Sequence, residues 1–195
     1  SLDQLTKRSM IEFAEQKQLE LPEDNKKLIQ LFMNQNLALP FKNNTAEVYI
    51  SGYEFFPALL AAISKAKHHI HIVSYIVDDD PLGHLLRDIL IDKAREGVEI
   101  RFLFDDVGSW KTPNSFFEQM REEGIEIHPF MPVRFPAFTG KVNYRNHRKI
   151  IVIDGKVGFI GGMNLAQRYV KGYKGRIWRD THVKICGAAV YGLQR

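Results

Sequence analysis

The sequence predicts an α/β fold, with a mixed but largely parallel β-sheet flanked by helices, and three observations predict it. From residue 46 onward, short strand-like apolar runs alternate with amphipathic helical stretches. Gly97 and Gly124 directly follow two of the helical stretches, as is common at helix C-termini. Two later apolar runs are separated by Asp154-Gly155, a dipeptide that favours the type I′ turn of a β-hairpin. Strands separated by helices of this length are typical of parallel pairing.

The individual elements follow from local periodicity. Phe56, Leu59 and Ile63 fall on one helix face, while the run that begins at Ile70 is rich in β-branched residues. The predicted strands span 47–50, 70–77, 98–104, 125–128, 150–153, a run through 160, and 181–185. The predicted helices span 53–67, 82–96 and 113–123, and the first turns of another cover 188–195.

The chain is expected to have two parts. Residues 1–45 are polar and predict a helical N-terminal extension, with helices over 5–19 and 24–34. This extension either packs on the following domain as an appended helical pair or connects it to a membrane anchor. Residues 46–195 form the predicted α/β domain. Within it, residues 129–141 contain three prolines and predict a loop that serves as a lid or substrate lip.

Composition sets limits on the class of protein. The apolar fraction of 45% and charged fraction of 26% are ordinary for a soluble globular chain. A single cysteine excludes an internal disulfide and a cysteine-rich zinc site. The net charge of +4 suits an anionic partner without identifying one.

The stretch 146–164 carries the candidate chemistry. His147 and Lys149 lie two residues apart at the start of a predicted strand, so their side chains share a face. Asn164 follows the second strand of the predicted hairpin, which brings it back towards them. A titratable nucleophile, a cation and an amide that converge on one point are suited to a phosphodiester.

This stretch resembles the signature of the phospholipase D superfamily, H-x-K-x-x-x-x-D followed by G-G-x-N. The match includes six fixed positions at fixed spacing: His147, Lys149, Asp154, Gly161, Gly162 and Asn164. Five further stretches look like the cardiolipin synthase branch of that superfamily, and the likeness covers roughly residues 46 to 195. They are 52–54, 70–75, 97–101, 108–109 and Trp178-Arg179-Asp180-Thr181-His182.

The resemblance implies a role for each matched residue. His147 is the expected nucleophile, which forms a phosphohistidine, and Lys149 holds a phosphate oxygen. Asn164 donates a hydrogen bond to another phosphate oxygen. The expected substrate-binding residues are the glycines that let the backbone approach the phosphate and two neighbouring cations: Gly161, Gly162, Arg145 and Arg148.

Two carboxylates have alternative interpretations. Asp154 belongs to the family motif and is a candidate catalytic residue, yet an Asp before Gly in a hairpin turn also has a structural explanation as a brace. Asp180 is the candidate carboxylate that fixes the tautomer of the nucleophilic histidine. Its structural alternative is a cap or a salt bridge to Arg176 or Arg179.

Other polar residues carry weaker signals. His182-x-Lys184 repeats the H-x-K pattern without the rest of the motif and is interpreted as strand residues. Asp78-Asp79-Asp80 and Asp105-Asp106 are interpreted as carboxylates at strand ends rather than metal ligands. No cofactor and no metal are expected, because the chemistry of the family that the chain resembles is metal-independent.

The segment from Lys141 to Arg179 is strongly basic. It contains ten Lys or Arg residues, interleaved with aromatic residues, and one acidic residue, Asp154. This bias predicts either a rim that attracts anionic headgroups or a solvated face.

The resemblance implies a cardiolipin synthase that transfers a phosphatidyl group between two phosphatidylglycerol molecules and releases glycerol. We expect this chain to be the first catalytic half of a longer enzyme, anchored at the cytoplasmic face of a bacterial cell membrane. Its partners would be anionic phospholipid, the membrane surface, and either a second half with the same motif or a second copy of this chain. Nucleic acid is not expected. The alternatives are a hydrolase or nuclease of the same superfamily, and a non-catalytic module that binds anionic membranes.

Overall fold

The computed structural model describes residues 43–132, 147–172 and 174–194, together with Lys27, Leu31 and Phe41. Residues 44–195 form one compact unit, and the described sheet belongs to it. The predicted extension over residues 1–45 lies almost entirely outside the described residues. So does most of the predicted loop over 129–141.

Within the described ranges, seven strands form one sheet in the order β1-β7-β6-β5-β2-β3-β4. Their bounds lie close to the predicted ones. They are β1 Thr45–Tyr49, β2 His69–Ser74, β3 Glu99–Asp105, β4 Glu126–Phe130, β5 Ile150–Ile153, β6 Val157–Gly161 and β7 His182–Cys186.

The prediction of a mixed α/β sheet flanked by helices is confirmed, but the expectation that it is largely parallel is wrong. Only the β2–β3 and β3–β4 pairings are parallel within the described strands; β1–β7, β7–β6, β6–β5 and β5–β2 are antiparallel. A parallel pairing needs a crossover of a dozen or more residues. The helices between β2, β3 and β4 supply it, whereas three residues join β5 to β6.

Helices connect the parallel half of the sheet. The described helices are α1 Gly52–Ser64, α2 Pro81–Arg95, α3 Asn114–Glu122 and the short α4 Arg168–Lys171, followed by a 3₁₀ helix at Ala188–Gln194. The Asp80 side chain caps α2 by accepting a hydrogen bond from the Gly83 N–H at 2.9 Å, and Pro81 occupies its first turn. Across the described ranges, none of the helices has the length and apolarity needed to cross a membrane.

The core lies between the sheet and the helices α1, α2 and α3. Ile70 and Ile72 alternate with more exposed residues along β2, so one face of that strand is buried. Phe55 and Leu59 on one face of α1 are fully buried and belong to the same cluster of buried side chains. Burying each of these large side chains stabilises the fold by about 1.5–3 kcal/mol.

The predicted hairpin forms, and it determines where the motif residues lie. Asp154 and Gly155 both have positive φ, at 53° and 63°, as a type I′ turn requires. The Lys156 N–H donates to the Ile153 carbonyl at 3.0 Å and closes the turn. Because β5 runs antiparallel to both β2 and β6, the start of β5 lies at the sheet edge where β2 and β6 end.

Candidate active site

His147 lies just before β5, at the edge of the sheet where β2 ends. Its side chain is exposed, and its imidazole stacks on the ring of Tyr75, with the ring centroids 4.0 Å apart and the planes 26° apart. Tyr75 is the first residue after β2, and β2 pairs with β5 directly. The nucleophile predicted from the sequence is therefore accessible and supported by an aromatic ring.

Lys149 lies next to the same ring. Its Nζ is 5.4 Å from the centroid of Tyr75 and donates a hydrogen bond to the His147 carbonyl oxygen at 2.6 Å. Burial lowers the pKa of the Lys149 ammonium, and the charge of Asp180 partly offsets this effect by raising it. Asp180 is thus close enough to Lys149 for its charge to act on the ammonium, and Lys149 in turn contacts the His147 backbone. The expected role of Asp180 in fixing the tautomer of His147 stays a prediction.

Tyr75 is the site residue that the sequence analysis missed. Its backbone is held by the turn after β3: a Cβ on Gly108 would lie 2.1 Å from the Tyr75 carbonyl oxygen, and Ser109 Oγ donates to that oxygen at 3.4 Å. Asp105 shapes this turn by accepting from the Val107 and Gly108 N–H groups at 3.0 and 2.9 Å. The sequence does show an aromatic residue, Tyr75, at the end of a predicted strand. Its contact with His147, however, depends on the pairing of β2 with β5.

Asn164 is buried and already has protein partners. Its Oδ1 accepts from the Ile76 N–H at 3.0 Å, and its Nδ2 donates to the Tyr169 hydroxyl at 2.6 Å. Asn164 therefore fixes the backbone directly after Tyr75. Its predicted hydrogen bond to a phosphate oxygen would use the second N–H of the amide and remains a prediction.

The two glycines of the motif make room for the residues that precede and begin β7. A Cβ on Gly162 would lie 2.0 Å from Asp180 Oδ1, and a Cβ on Gly161 would lie 2.5 Å from the Cα of His182. The Gly162 N–H donates to the Thr181 carbonyl at 2.8 Å. Glycine at these positions lets Asp180 approach β6, and from there its charge acts on Lys149. The expected contact of the two glycines with phosphate stays a prediction. Asp180 forms no ion pair with Arg176 or Arg179, all three being described residues.

Asp154 lies at the opposite end of β5 from Lys149, roughly 16 Å away along the strand. Its carboxylate accepts from the N–H groups of Lys67, His68 and His69 at 2.9, 2.8 and 3.0 Å. Burial alone would raise the pKa of this carboxyl, but the three backbone N–H groups outweigh it, and the pKa is lowered. The structure therefore favours the interpretation of Asp154 as a brace over a role in proton transfer.

Of the two arginines that are expected to bind substrate, the structure describes only one. Arg148 lies next to His147 and its side chain is exposed. Arg145 lies outside the described residues.

His182 and Lys184 lie in β7, which confirms their interpretation as strand residues. The His182 imidazole is 1% exposed, stacks on Phe55 at 4.0 Å, and has no hydrogen-bond partner for either ring nitrogen among the described residues. Burial, and to a lesser extent the charge of Lys149, lower the pKa of His182 to about 4. His182 is therefore neutral at pH 7.

The aspartates at the strand ends bind protein groups. Asp78 pairs with Arg168 at 2.6 Å, Asp79 pairs with His84, and Asp80 caps α2 while accepting from the Gln167 N–H at 2.6 Å. In the part of the chain that the structure describes, no group of three or more His, Cys, Asp or Glu is arranged to hold a metal ion.

Chemically, this edge of the sheet presents an exposed imidazole, an adjacent ammonium and a nearby carboxylate. A neutral imidazole can attack phosphorus and form a phosphohistidine, and an ammonium can offset the charge that develops on the phosphate oxygens. The arrangement is therefore suited to phosphoryl or phosphatidyl transfer.

Comparisons with known proteins agree with this chemistry. Residues 59–185 match the family model described as "Cardiolipin synthase, PLD-like domain". The chain is 49% identical to cardiolipin synthase 2 of Bacillus cereus over 159 residues, which is 81% of this chain and 31% of that protein. It is 40% identical to cardiolipin synthase of Listeria innocua over 191 residues, which is 95% of this chain and 40% of that protein. The chain thus spans about a third of the length of such relatives.

Solved structures share the fold at low sequence identity. NucT from Helicobacter pylori aligns with a TM-score of 0.58 at 14% identity, over 78% of this chain and 92% of that one. Phosphatidylserine synthase from Haemophilus influenzae aligns with a TM-score of 0.57 at 18% identity, over 75% of this chain and 34% of that one. With the motif in place at the sheet edge and the family model covering most of the sheet, the chain belongs to the cardiolipin synthase family of phospholipase D-like domains.

Proposed function

We propose that this chain is the first catalytic half of a cardiolipin synthase, a phosphatidyltransferase with His147 as its nucleophile. The single observation that carries the proposal is the exposed His147 imidazole stacked on Tyr75 beside the Lys149 ammonium. The similarity to cardiolipin synthases supports phosphatidylglycerol as the substrate.

The proposed reaction has two steps. A ring nitrogen of His147 attacks the phosphorus of one phosphatidylglycerol, the phosphorus–oxygen bond to glycerol breaks, and glycerol leaves with a proton from an acid on the partner half. The terminal hydroxyl of a second phosphatidylglycerol then attacks the phosphohistidine and loses its proton to the same group, and cardiolipin is released. No cofactor enters either step.

The residues around His147 have proposed parts in these steps. Lys149 holds a non-bridging phosphate oxygen, and Asn164 donates to another with its second amide N–H. Asp180 accepts from the ring nitrogen of His147 that does not attack, which fixes the tautomer. Arg145 and Arg148 attract the anionic headgroup.

A general acid for glycerol is still required. We therefore propose that a second half with the same motif, or a second copy of this chain, completes the site. The chain's relatives are about three times as long as the matched region, which supports the first option. We also propose that the complete enzyme works at the cytoplasmic face of a bacterial cell membrane, because its substrate is a membrane lipid. The extension over residues 1–45 would link the domain to its anchor.

The test uses the complete enzyme with His147→Asn. Phosphatidylglycerol labelled at phosphorus is mixed with enzyme, and the reaction is quenched in cold denaturant at neutral pH, because the P–N bond of phosphohistidine is labile in acid. The products are then separated by mass. The wild type should give labelled protein, glycerol and cardiolipin, while His147→Asn should give none. His128→Asn is the matched control, because that histidine is exposed on β4 at the far side of the sheet.

The same assay separates the alternatives. Phosphatidic acid in place of cardiolipin would identify water as the acceptor and the protein as a hydrolase. Cardiolipin formation that survives His147→Asn would refute the proposed nucleophile. Vesicle binding without labelled protein or product would indicate a non-catalytic membrane-binding module.

A further inference from the structure

The segment 174–179 presents apolar side chains to solvent. Ile177 is 94% exposed and Trp178 is 41% exposed. With Lys174, Arg176 and Arg179 they line an open cavity of about 520 Å³. A large aliphatic side chain with almost its whole surface in water gains nothing for the fold. Next to the partly exposed Trp178 it forms an apolar patch, and such patches mark interaction sites.

The same region is cationic. Lys171, Lys174, Arg176 and Arg179 are exposed, and no acidic residue lies between positions 171 and 179. Arg168, one turn earlier, pairs with Asp78 and is not part of this patch. Exposed cations on both sides of Ile177 and Trp178 in the chain match the order of an anionic bilayer surface, in which phosphates lie outside the acyl chains.

The segment is attached firmly to the active site. The Trp178 ring packs edge-on against Tyr169, with centroids 5.6 Å apart, and the Tyr169 hydroxyl accepts from Asn164. At its base, Gly172 has a φ of 79°, and a Cβ there would lie 2.2 Å from the Arg176 carbonyl oxygen. A surface that binds at this segment is therefore held at a defined position relative to Asn164 and the backbone beside Tyr75.

We propose that the segment 174–179 docks on an anionic phospholipid bilayer, with Ile177 and Trp178 inserted at the level of the headgroups and the flanking cations on lipid phosphates. The proposal rests on the proposed function, because it places the sheet edge that carries His147 at the surface where its lipid substrate lies. Tryptophan is enriched at this depth of membrane proteins, since its ring is apolar while its N–H can remain hydrated.

Binding is tested with the 195-residue chain, which has two tryptophans, Trp110 and Trp178. In Trp110→Phe, Trp178 is the only fluorophore. Vesicles of phosphatidylglycerol and phosphatidylcholine in equal parts, brominated in the upper acyl chain, should quench it and shift its emission to the blue. Vesicles of phosphatidylcholine alone should not.

Matched variants locate the contact. Arg176→Gln should weaken vesicle binding about fivefold, the effect of one cation near an anionic surface, and Ile177→Ser should weaken it further. Lys65→Gln and Val48→Ser should bind like wild type. The first removes an exposed cation at the C-terminal end of α1, and the second removes an exposed apolar side chain of β1. Two results would overturn the proposal. One is that Trp110, measured in Trp178→Phe, is quenched as strongly as Trp178 is in Trp110→Phe; the other is that Trp178 is not quenched at all.

The complete enzyme separates failure of this proposal from failure of the proposed function. Ile177→Ser should raise the apparent KM several-fold for phosphatidylglycerol in vesicles, while transfer from a short-chain, monomeric phosphatidylglycerol persists. An equal loss on both substrates, or no loss on either, would show that the segment does not dock on the bilayer in the complete enzyme. Wild-type enzyme that transfers neither substrate, while Trp178 is still quenched, would reject the proposed function and retain the docking.

Discussion

The imidazole of His147 lies over the phenol ring of Tyr75 with centroids 4.0 Å apart, and Lys149 Nζ lies 5.4 Å from the same phenol centroid. One aromatic ring at the end of β2 thus contacts both the proposed nucleophile and the cation of the motif. Tyr75 is itself fixed by the turn after β3 and by Asn164 through Ile76. Residues from both the parallel and the antiparallel half of the sheet therefore position this ring.

Removing the ring at position 75 should slow formation of the phosphohistidine. A stacked aromatic pair is worth about 0.5–1.5 kcal/mol beyond its buried area, so Tyr75→Leu should lower the rate about 2- to 12-fold, while Tyr75→Phe should stay near the wild-type rate. Single-turnover labelling of the complete enzyme measures this. Equal losses in both variants would assign the effect to the hydroxyl instead of the stack.

Replacing Asp154 should affect stability more than chemistry. Asp154→Ala leaves three N–H groups of the α1–β2 connection without their carboxylate, and we expect a loss of about 2–3 kcal/mol in the free energy of unfolding. The pKa of Asp154 is lower in the folded state than in the unfolded chain. The carboxylate therefore stabilises the fold at pH values above its ordinary pKa, and this stabilisation is lost as the pH falls through the pKa of the folded state. Urea unfolding at pH 7 and pH 3 measures both effects.

The control for Asp154 is Lys156→Ala, an exposed residue of the same turn that should leave stability near wild type. If Asp154→Ala proved as stable as Lys156→Ala but blocked phosphohistidine formation, the catalytic interpretation of Asp154 would be restored.

Asp180 should keep Lys149 protonated. Its charge raises the pKa of Lys149 against the effect of burial, so Asp180→Asn should lower that pKa further. Competitive acylation of the lysines as a function of pH should then show Lys149 becoming reactive at a lower pH than in wild type. Asp92→Asn, an exposed carboxylate on α2, should leave the Lys149 titration unchanged; the same downward movement in both variants would contradict a specific interaction.

His182 should make stability depend on pH. Its folded pKa of about 4 lies below the ordinary 6.5, so the unfolded chain binds the proton first, and stability is lost as pH falls from about 6.5 towards 4. The difference corresponds to about 3 kcal/mol. His182→Phe keeps a ring against Phe55 and should remove this part of the pH dependence, measured as the free energy of unfolding across that range. An unchanged slope would mean that His182 does not titrate as a buried neutral group.

The sequence by itself determined the elements, the hairpin and the motif. These depend on local rules: the period of two in β5 sets the spacing of His147 and Lys149, and Asp154-Gly155 has the backbone freedom that the turn needs. The family likeness added Asp180 as the carboxylate that fixes the His147 tautomer, which stays a prediction; the structure shows that its charge acts on Lys149.

Only the tertiary structure decided the direction of most strands, the contact of Tyr75 with His147, the protein partners of Asn164 and the distance of Asp154 from the site. Each of these features depends on which strands become neighbours, such as β2 beside β5. Those two strands lie about 75 positions apart in the chain, and the local periodicity of a sequence does not indicate which distant strands pair. The glycines show the same limit, because Gly161 and Gly162 signal a close approach, but only the packed sheet shows that the approaching groups are His182 and Asp180.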